Sequence, residues 1–431
     1  MPRQALNDRF VLSYKHQSQT LRARYAQGVR PFKTLSRAIV KVWLSSLVLT
    51  CLTKEKIMSV TQQLTTDATT RKIWAKKDYL NIGQKTVFGH LMDRGAIFFA
   101  EDFLGERARG DEITYDYVNK LTGLPVGEGG TLVGNEEALD KGSFKLAMNE
   151  TRVAVKSPNK NTIEQQRTNL SFENMARKVI PARHAELIDT SVFYQLAGAD
   201  PTSFTLNGTT WSGAYKKFVQ GHNSIVAPTT NRIVRPASAA TDQALTSADT
   251  MTLDLVDYMI EKNGTSDQPI MEFDDGTMDL FISHEQYVDL KHDAAGKIQW
   301  FNIELAKLSG GMDSNIESFR KGNMIVAGKY GNVNIYVAPR VAYGVNSGSS
   351  AVITSVRRAV LVGKDALTFA SPYGGRMQDD GVPLMYETEL QDFGYYKAIE
   401  GRFIGGLKKN TATNSEDIGV MVLSTYAASH S

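Results

Sequence analysis

The residues able to do chemistry are few and poorly placed for it. His284 and Glu285 open like a zinc-binding helix, but Val288 stands where the second histidine of an HExxH site would be. His284 and His292 lie eight residues apart on one short helical stretch and read as surface or cap residues. Asp274 with Asp275, and Asp379 with Asp380, are each followed by a glycine, Gly276 and Gly381, which marks solvated turns. No GxSxG elbow occurs. The sole cysteine, Cys51, lies in an N-terminal segment unlike the rest of the chain, which argues against a cysteine nucleophile. The glycine-rich GEGGTLVG at 127–134 lacks the GK[ST] ending of a phosphate loop, and no strand-to-helix transition follows it. GNMIVAGK at 322–329 has a spacing one residue too long and is followed by Tyr330 in place of Ser/Thr. Its MIVA centre reads as a strand. The pattern predicts no catalytic residue, no metal and no cofactor, so the chain is not read as an enzyme.

The elements are more legible. Residues 170–198 form the longest helical pattern, with Phe172, Met175, Ala176, Val179 and Ile180, then Leu187, Ile188, Val192 and Leu196, on one buried face. Ser171 is a good N-cap, Glu173 adds charge to the first turn, and Gly198 followed by Pro201 marks the stop. Such a helix would reach roughly 40 Å. Pro181 in its middle predicts a kink.

Before this helix, 112–120 and 144–155 alternate as strands. Between them runs a tip carrying Gly123, Pro125, Gly127, Gly129, Gly130 and Gly134. Two strands joined by a long, glycine-rich, poorly hydrophobic tip make a protruding loop that cannot bury itself and usually has a partner. Residues 58–105 read as an extended arm with one or two short helices. After the long helix, 199–246 is loop-rich. A helix is expected over 250–263, capped by Thr250 and stopped by Gly264, then a buried strand at 278–283 and a short helix at 285–293. A hairpin at 324–341 turns near Gly331, and a strand at 358–362 leads into a short helix at 364–370. The end is β-rich, at 383–390, 395–404 and 417–425. Strands and helices alternate without a regular βαβ period, which argues α+β.

The chain has 431 residues, 42% hydrophobic, enough for a large core. A single cysteine excludes disulfides within the chain and points to a reducing compartment. The net charge of +3 is unevenly spread. Residues 1–57 hold 11 Lys/Arg against Asp8 and Glu55, and the remainder holds 38 basic against 44 acidic residues. The body is thus mildly acidic, and non-specific nucleic-acid affinity is not its main property. The apolar run at 38–52 is broken by Lys41 and too short to span a bilayer. Residues 1–57 read as an over-extended reading frame, with the native protein starting at Met58. The competing reading is a basic tail that binds DNA or is cleaved.

The order of arm, protruding loop, long helix and large mixed domain resembles the HK97-like major capsid proteins of tailed bacteriophages. Within them it looks most like the N-four-type podophage major capsid family. The residues that carry this are LTGLPVGEGGTLVGNEEAL at 121–139 and TRVAVKSPNKNTIEQQRTNLSFENMARKVIPARHAELIDTSVFYQLAG at 151–198. GHNSIVAPTTNRI at 221–233 belongs with them, as do ETELQDFGYY at 387–396, IGGLKKN at 404–410 and EDIGVMVLSTYA at 416–427. The resemblance implies an N-arm at 58–110, an E-loop at 111–165 and a spine helix with P domain at 166–239. It further implies an A domain at 240–365 and a return into the P domain at 366–431, with no counterpart for 1–57. It implies that the glycine-rich tip contacts a neighbouring subunit, and that pentamers and hexamers close an icosahedral shell around double-stranded DNA held by non-specific contact. Scaffolding and portal proteins are the further partners implied, with no membrane, assembly in the host cytoplasm and residence in the virion. An encapsulin-like cellular compartment is the alternative with the same fold.

Overall fold

A computed structural model describes residues 68–100, 112–118, 121, 123–137, 141–157, 172–293, 320–321, 324–372, 383–391, 396–412 and 416–429. These lie in one unit, Thr65–Ser431. The expectations for residues 1–57, with Cys51 and Met58, and those for Ser171, Asp379, Asp380 and Gly381, fall outside the described residues.

The chain enters with α1, Ala68–Lys85. Ala75, Tyr79 and Ile82 are buried at the spacing of one helical face. Thr86 then caps α2, Val87–Asp93, by accepting from the Gly89 amide. β1, Ile97–Phe99, follows. The sequence predicts an extended arm with one or two short helices here, and two helices are present. The structure instead sets α1, α2 and β1 into the main core, because Tyr79, Ile82, Phe88, Leu91 and Phe99 pack with residues distant in sequence.

β2, Glu112–Val118, and β3, Lys141–Ala147, form a two-stranded antiparallel ribbon. β4, Asn149–Lys156, starts a separate strand. The single strand expected over 144–155 is therefore two, divided at the buried Met148.

α3, Phe172–Ala197, is the 26-residue helix, and it runs on through the buried Pro181. In its first half Ala176 and Ile180 are buried as expected, but Met175 and Val179, expected on the same face, are 47% and 57% exposed, because they turn away from the sheet and from α1. From Leu187 to Ala197 every residue is buried, against the expectation of a single face. The polar side chains there are satisfied internally. Thr190 and Ser191 donate back to the Glu186 and Leu187 carbonyls at 2.7 and 2.8 Å. The Gln195 amide donates to the Gln220 and Asn223 carbonyls at 2.7 and 3.1 Å. Gly198 ends the helix at φ +58, and a Cβ there would lie 2.6 Å from both Pro228 Cδ and the Val226 carbonyl, so the backbone turn and the close approach both require glycine.

β5, Ser203–Leu206, and β6, Thr209–Ser212, make a small hairpin, and β7 is Ile233–Val234. α4, Leu253–Gly264, is capped by Thr252, two residues after the expected cap, since it is Thr252 that accepts from the Leu255 amide. β8, Met278–Ile282, is buried at every position. Ser283 and Gln286 form a full capping box at the start of α5, His284–His292. Then come β9, Arg320–Lys321, β10, Met324–Tyr330, β11, Val333–Val337, β12, Tyr343–Val345, and β13, Val352–Val362. The helix expected over 364–370 is instead a strand, β14, Leu367–Ala370. It is zipped parallel to β1 on one side and antiparallel to a later strand on the other, with all four residues buried. That pairing outweighs any local helical preference. The chain closes with β15, Leu384–Gln391, β16, Tyr396–Lys409, and β17, Val420–Tyr426.

Two larger sheets organise these strands. The central one runs β7-β17-β13-β8-β11-β10-β9, with β12 on β13. The second runs β1-β14-β16-β15, with β4 on β16. α1, α2 and α3 pack with the second sheet into one core, and α4 and α5 cover the central sheet over another. α3 crosses β16 at Gly401, where a Cβ would stand 2.3 Å from Ile180 Cγ2. Only a residue without a side chain lets helix and strand approach so closely.

Candidate functional site

The glycines and proline singled out in the sequence all lie at the end of the β2–β3 ribbon. β2 and β3 pair in register from Glu112 opposite Ala147 to Val118 opposite Lys141. Beyond that ladder the tip holds itself by short-range bonds. The Gly130 amide donates to the Gly127 carbonyl at 3.1 Å and the Asn135 amide to the Leu132 carbonyl at 2.9 Å, closing two turns. Gly129 and Gly134 take φ of +84 and +88, which the turns require. Glu137 accepts from the Gly123 amide at 2.5 Å and Glu136 from the Gly134 amide at 2.7 Å.

What the tip presents is apolar. Leu121 is 61% exposed, Leu124 89%, Leu132 66% and Val133 80%. The sequence reading, which took the tip as poorly hydrophobic, missed these four. They were legible as large apolar residues in a stretch with no strand or helix to bury them. Each would gain roughly 1.5–3 kcal/mol on full burial.

The ribbon is packed at its root. Ile113, Phe144, Leu146 and Met148 form a small cluster with Ala100 and Ala370. Lys408 donates to the Lys145 carbonyl at 2.7 Å and its ammonium lies 4.4 Å from the Phe144 ring centre. Asn223 pairs with Ala147 through both amide atoms, at 2.9 and 3.0 Å, and also donates to the Leu407 carbonyl at 3.2 Å. The side chain thus supplies a strand-like partner where β3 gives way to β4.

Behind the root, an apolar cavity of about 40 Å³ lies between α3 and the second sheet, bordered by His184, His222, Phe369, Phe403 and Leu407. Burial pushes the His184 imidazole down to about 4, only partly offset by its bond to the Gly401 carbonyl. Burial, then the nearby Lys217, does the same to His222, which bonds the Thr151 hydroxyl. Asp189 of α3 accepts from the Val87 amide at the start of α2. Burial pushes its carboxyl up to about 7 against the pull of Arg340. At the other end of α3, Arg358 donates to the Ala197 and Gly198 carbonyls and to Asp242, tying the helix end to the central sheet.

Among the described residues, those first weighed for chemistry are not brought together. His284 and His292 are exposed at opposite ends of α5. Gly276 sits in a turn at φ +69, but Asp275 beside it is not simply solvated. It receives Arg94 at 2.5 Å, and that bond holds its carboxyl well below the usual range. Residues 324–329 of the second glycine motif are strand β10. Among the described residues no group of three or more His, Cys, Asp or Glu is placed to hold a metal ion, and no helix is long and apolar enough to cross a membrane.

The comparisons with known proteins follow this geometry. A family model described as "Phage capsid protein" matches residues 99–429. The fold is similar to the capsid of Ralstonia phage GP4, at 20% identity over 81% of this chain and 93% of that one, with a TM-score of 0.61. It is also similar to the capsid asymmetric unit of cyanophage Pam1, at 20% identity over 78% and 89%, with a TM-score of 0.54. No curated protein matches the chain. The α+β, HK97-like fold implied by the sequence motifs is the fold found, and the encapsulin-like alternative is not favoured. With the family match spanning most of its length, the chain belongs to the phage capsid protein family, whose place is in the shell of the virion head.

Proposed function

We propose that this capsid protein self-assembles into pentamers and hexamers that close an icosahedral head around the viral double-stranded DNA. The observation that carries the reading is the rooted ribbon with an unburied apolar tip, a feature that costs a lone chain and serves a repeating one. Within the reading, residues 58–110 are the N-arm, although its described part, residues 68–100, contributes Tyr79, Ile82, Phe88, Leu91 and Phe99 to the main core. Residues 111–165 are the E-loop, with Gly123, Pro125, Gly127, Gly129, Gly130 and Gly134 shaping the contact with a neighbouring subunit. Residues 166–239 hold the spine helix and P domain, with a bend at Pro181. Residues 240–365 are the A domain and 366–431 the return. The protein has no catalytic role. Scaffolding and portal proteins are its assembly partners in the host cytoplasm, and DNA is held without being read. Sedimentation velocity of the chain expressed with its scaffold tests this. Species of capsomer size and larger support it, and a lone monomer at high concentration contradicts it.

A further inference from the structure

We propose that Asn207 is a site of spontaneous deamidation, and that the carboxylate left there unfastens the β5–β6 hairpin from α3. The sequence holds two Asn-Gly pairs, Asn207–Gly208 and Asn263–Gly264. Such a pair is reactive because glycine has no Cβ to crowd its own backbone nitrogen, the atom that attacks. The structure sets the two apart. Asn207 and Gly208 make up the whole loop between Leu206 and Thr209, which pair across the hairpin. They take φ of +50 and +76, as a tight I′ turn requires, and both are exposed. A Cβ on Gly208 would meet nothing within 4 Å. Asn263 instead is buried near the end of α4. Its Oδ1 accepts from the Ile270 amide at 2.8 Å, and its Nδ2 faces Met278 Sδ at 3.9 Å. That side chain is held in place, and the Gly264 backbone belongs to the helix.

The reaction needs no co-reactant but water. The Gly208 nitrogen gives up its proton and attacks Asn207 Cγ. A C–N bond forms, the Cγ–Nδ2 bond breaks, and ammonia leaves with the proton. Water then opens the five-membered ring at either carbonyl. The product is an aspartate or an isoaspartate, whose backbone is one methylene longer.

The lost amide is one that α3 uses. Asn207 Nδ2 donates to Glu186 Oε2 at 2.8 Å. Glu186 also accepts from Arg183 at 2.9 Å, and Arg340 lies 3.4 Å away. Burial would raise the Glu186 carboxyl, but Asn207, Arg183 and Arg340 hold it below its usual range, so it is charged at neutral pH. A carboxylate at position 207 would therefore put a like charge where a donor had been. The same hairpin seats Phe204 against Tyr194, with ring centres 4.6 Å apart, and Trp211 beneath Arg183 at 5.3 Å. All three links run to α3, so the chemistry of the turn acts on the hold between hairpin and helix.

Two tests use the full chain. In the first it is kept for days in mildly alkaline buffer, native or in urea, then digested at acid pH and read by mass spectrometry. The inference expects native chain to convert Asn207 at least roughly tenfold faster than Asn263, and unfolded chain to convert both alike. Equal rates in the native chain, faster loss at Asn263, or no conversion at Asn207 would overturn the site. In the second, Asn207→Asp should raise hydrogen exchange across β5 and β6 roughly tenfold. Adding Glu186→Gln should bring it back towards the parent, because the opposed charge is gone. Exchange that Asn207→Asp leaves unchanged, or raises across the whole molecule, overturns the release of the hairpin.

Discussion

Asn223 grips Ala147 from both sides, its Oδ1 accepting the Ala147 amide at 2.9 Å while its Nδ2 donates to the Ala147 carbonyl at 3.0 Å. This side chain is one of the links between the protruding ribbon and the body, beside Lys408 and the cluster around Phe144. Asn223→Ala leaves part-buried backbone groups without partners and should cost about 1–3 kcal/mol. Hydrogen exchange should rise in β2 and β3 while β8 and β13 keep their protection. Uniform loss of protection across the molecule would mean that Asn223 supports the whole fold and not the ribbon.

The crossing of α3 over β16 depends on Gly401. Gly401→Ala places a Cβ 2.3 Å from Ile180 Cγ2, and overpacking of this kind costs typically ~1–3 kcal/mol. Adding Ile180→Ala should recover part of that loss in urea unfolding, because the clashing atom is gone. If the double variant is simply the sum of the two single losses, helix and strand are not in the contact described.

Acid should loosen the packing of α3 on the second sheet. His184 and His222 have folded values near 4, below the ordinary 6.5, so the unfolded chain binds more protons between those values. Their contribution is full above about 6.5 and is lost as the pH falls towards 4. For His184 alone this is on the order of 3 kcal/mol. Asp189 acts oppositely: its raised value means stability present below its ordinary 3.8 and lost as the pH rises through 7. Thermal unfolding of His184→Gln should show a flatter fall between pH 6.5 and 4 than the parent. An unchanged slope would show that His184 is not buried neutral.

Much of this was legible in the sequence where local signals and tertiary packing agree. Gly198 stopped α3, Gly331 turned β10 into β11, and β8 read as a wholly buried strand. Apart from the local shift of the α4 cap to Thr252, the main differences arose where distant partners decided the outcome. Leu367, Phe369 and Ala370 became a strand because β1 and β16 lie on either side. Tyr79 and Phe88 entered the core because α3 and the second sheet receive them. Asp189, Thr190, Ser191 and Gln195 lie outside the apolar face read in the sequence, and their bonding partners explain their burial. The tip glycines were readable, whereas the degree of exposure of Leu121, Leu124 and Leu132 came from the geometry.

Removing the tip should separate folding from assembly. Residues 123–134 bury little, so deleting them and joining the strands by a short turn should leave the unfolding midpoint within a few degrees of the parent. The same deletion should abolish stable particles. Intact particles from the deletion variant would place the contact between copies elsewhere.

Electron cryomicroscopy of the full chain expressed with its scaffold tests the central claim most directly. The account predicts closed icosahedral shells with pentamers and hexamers, in which the ribbon of each copy lies against its neighbour. Fields showing only separate single chains at high concentration, with the scaffold present, would contradict it.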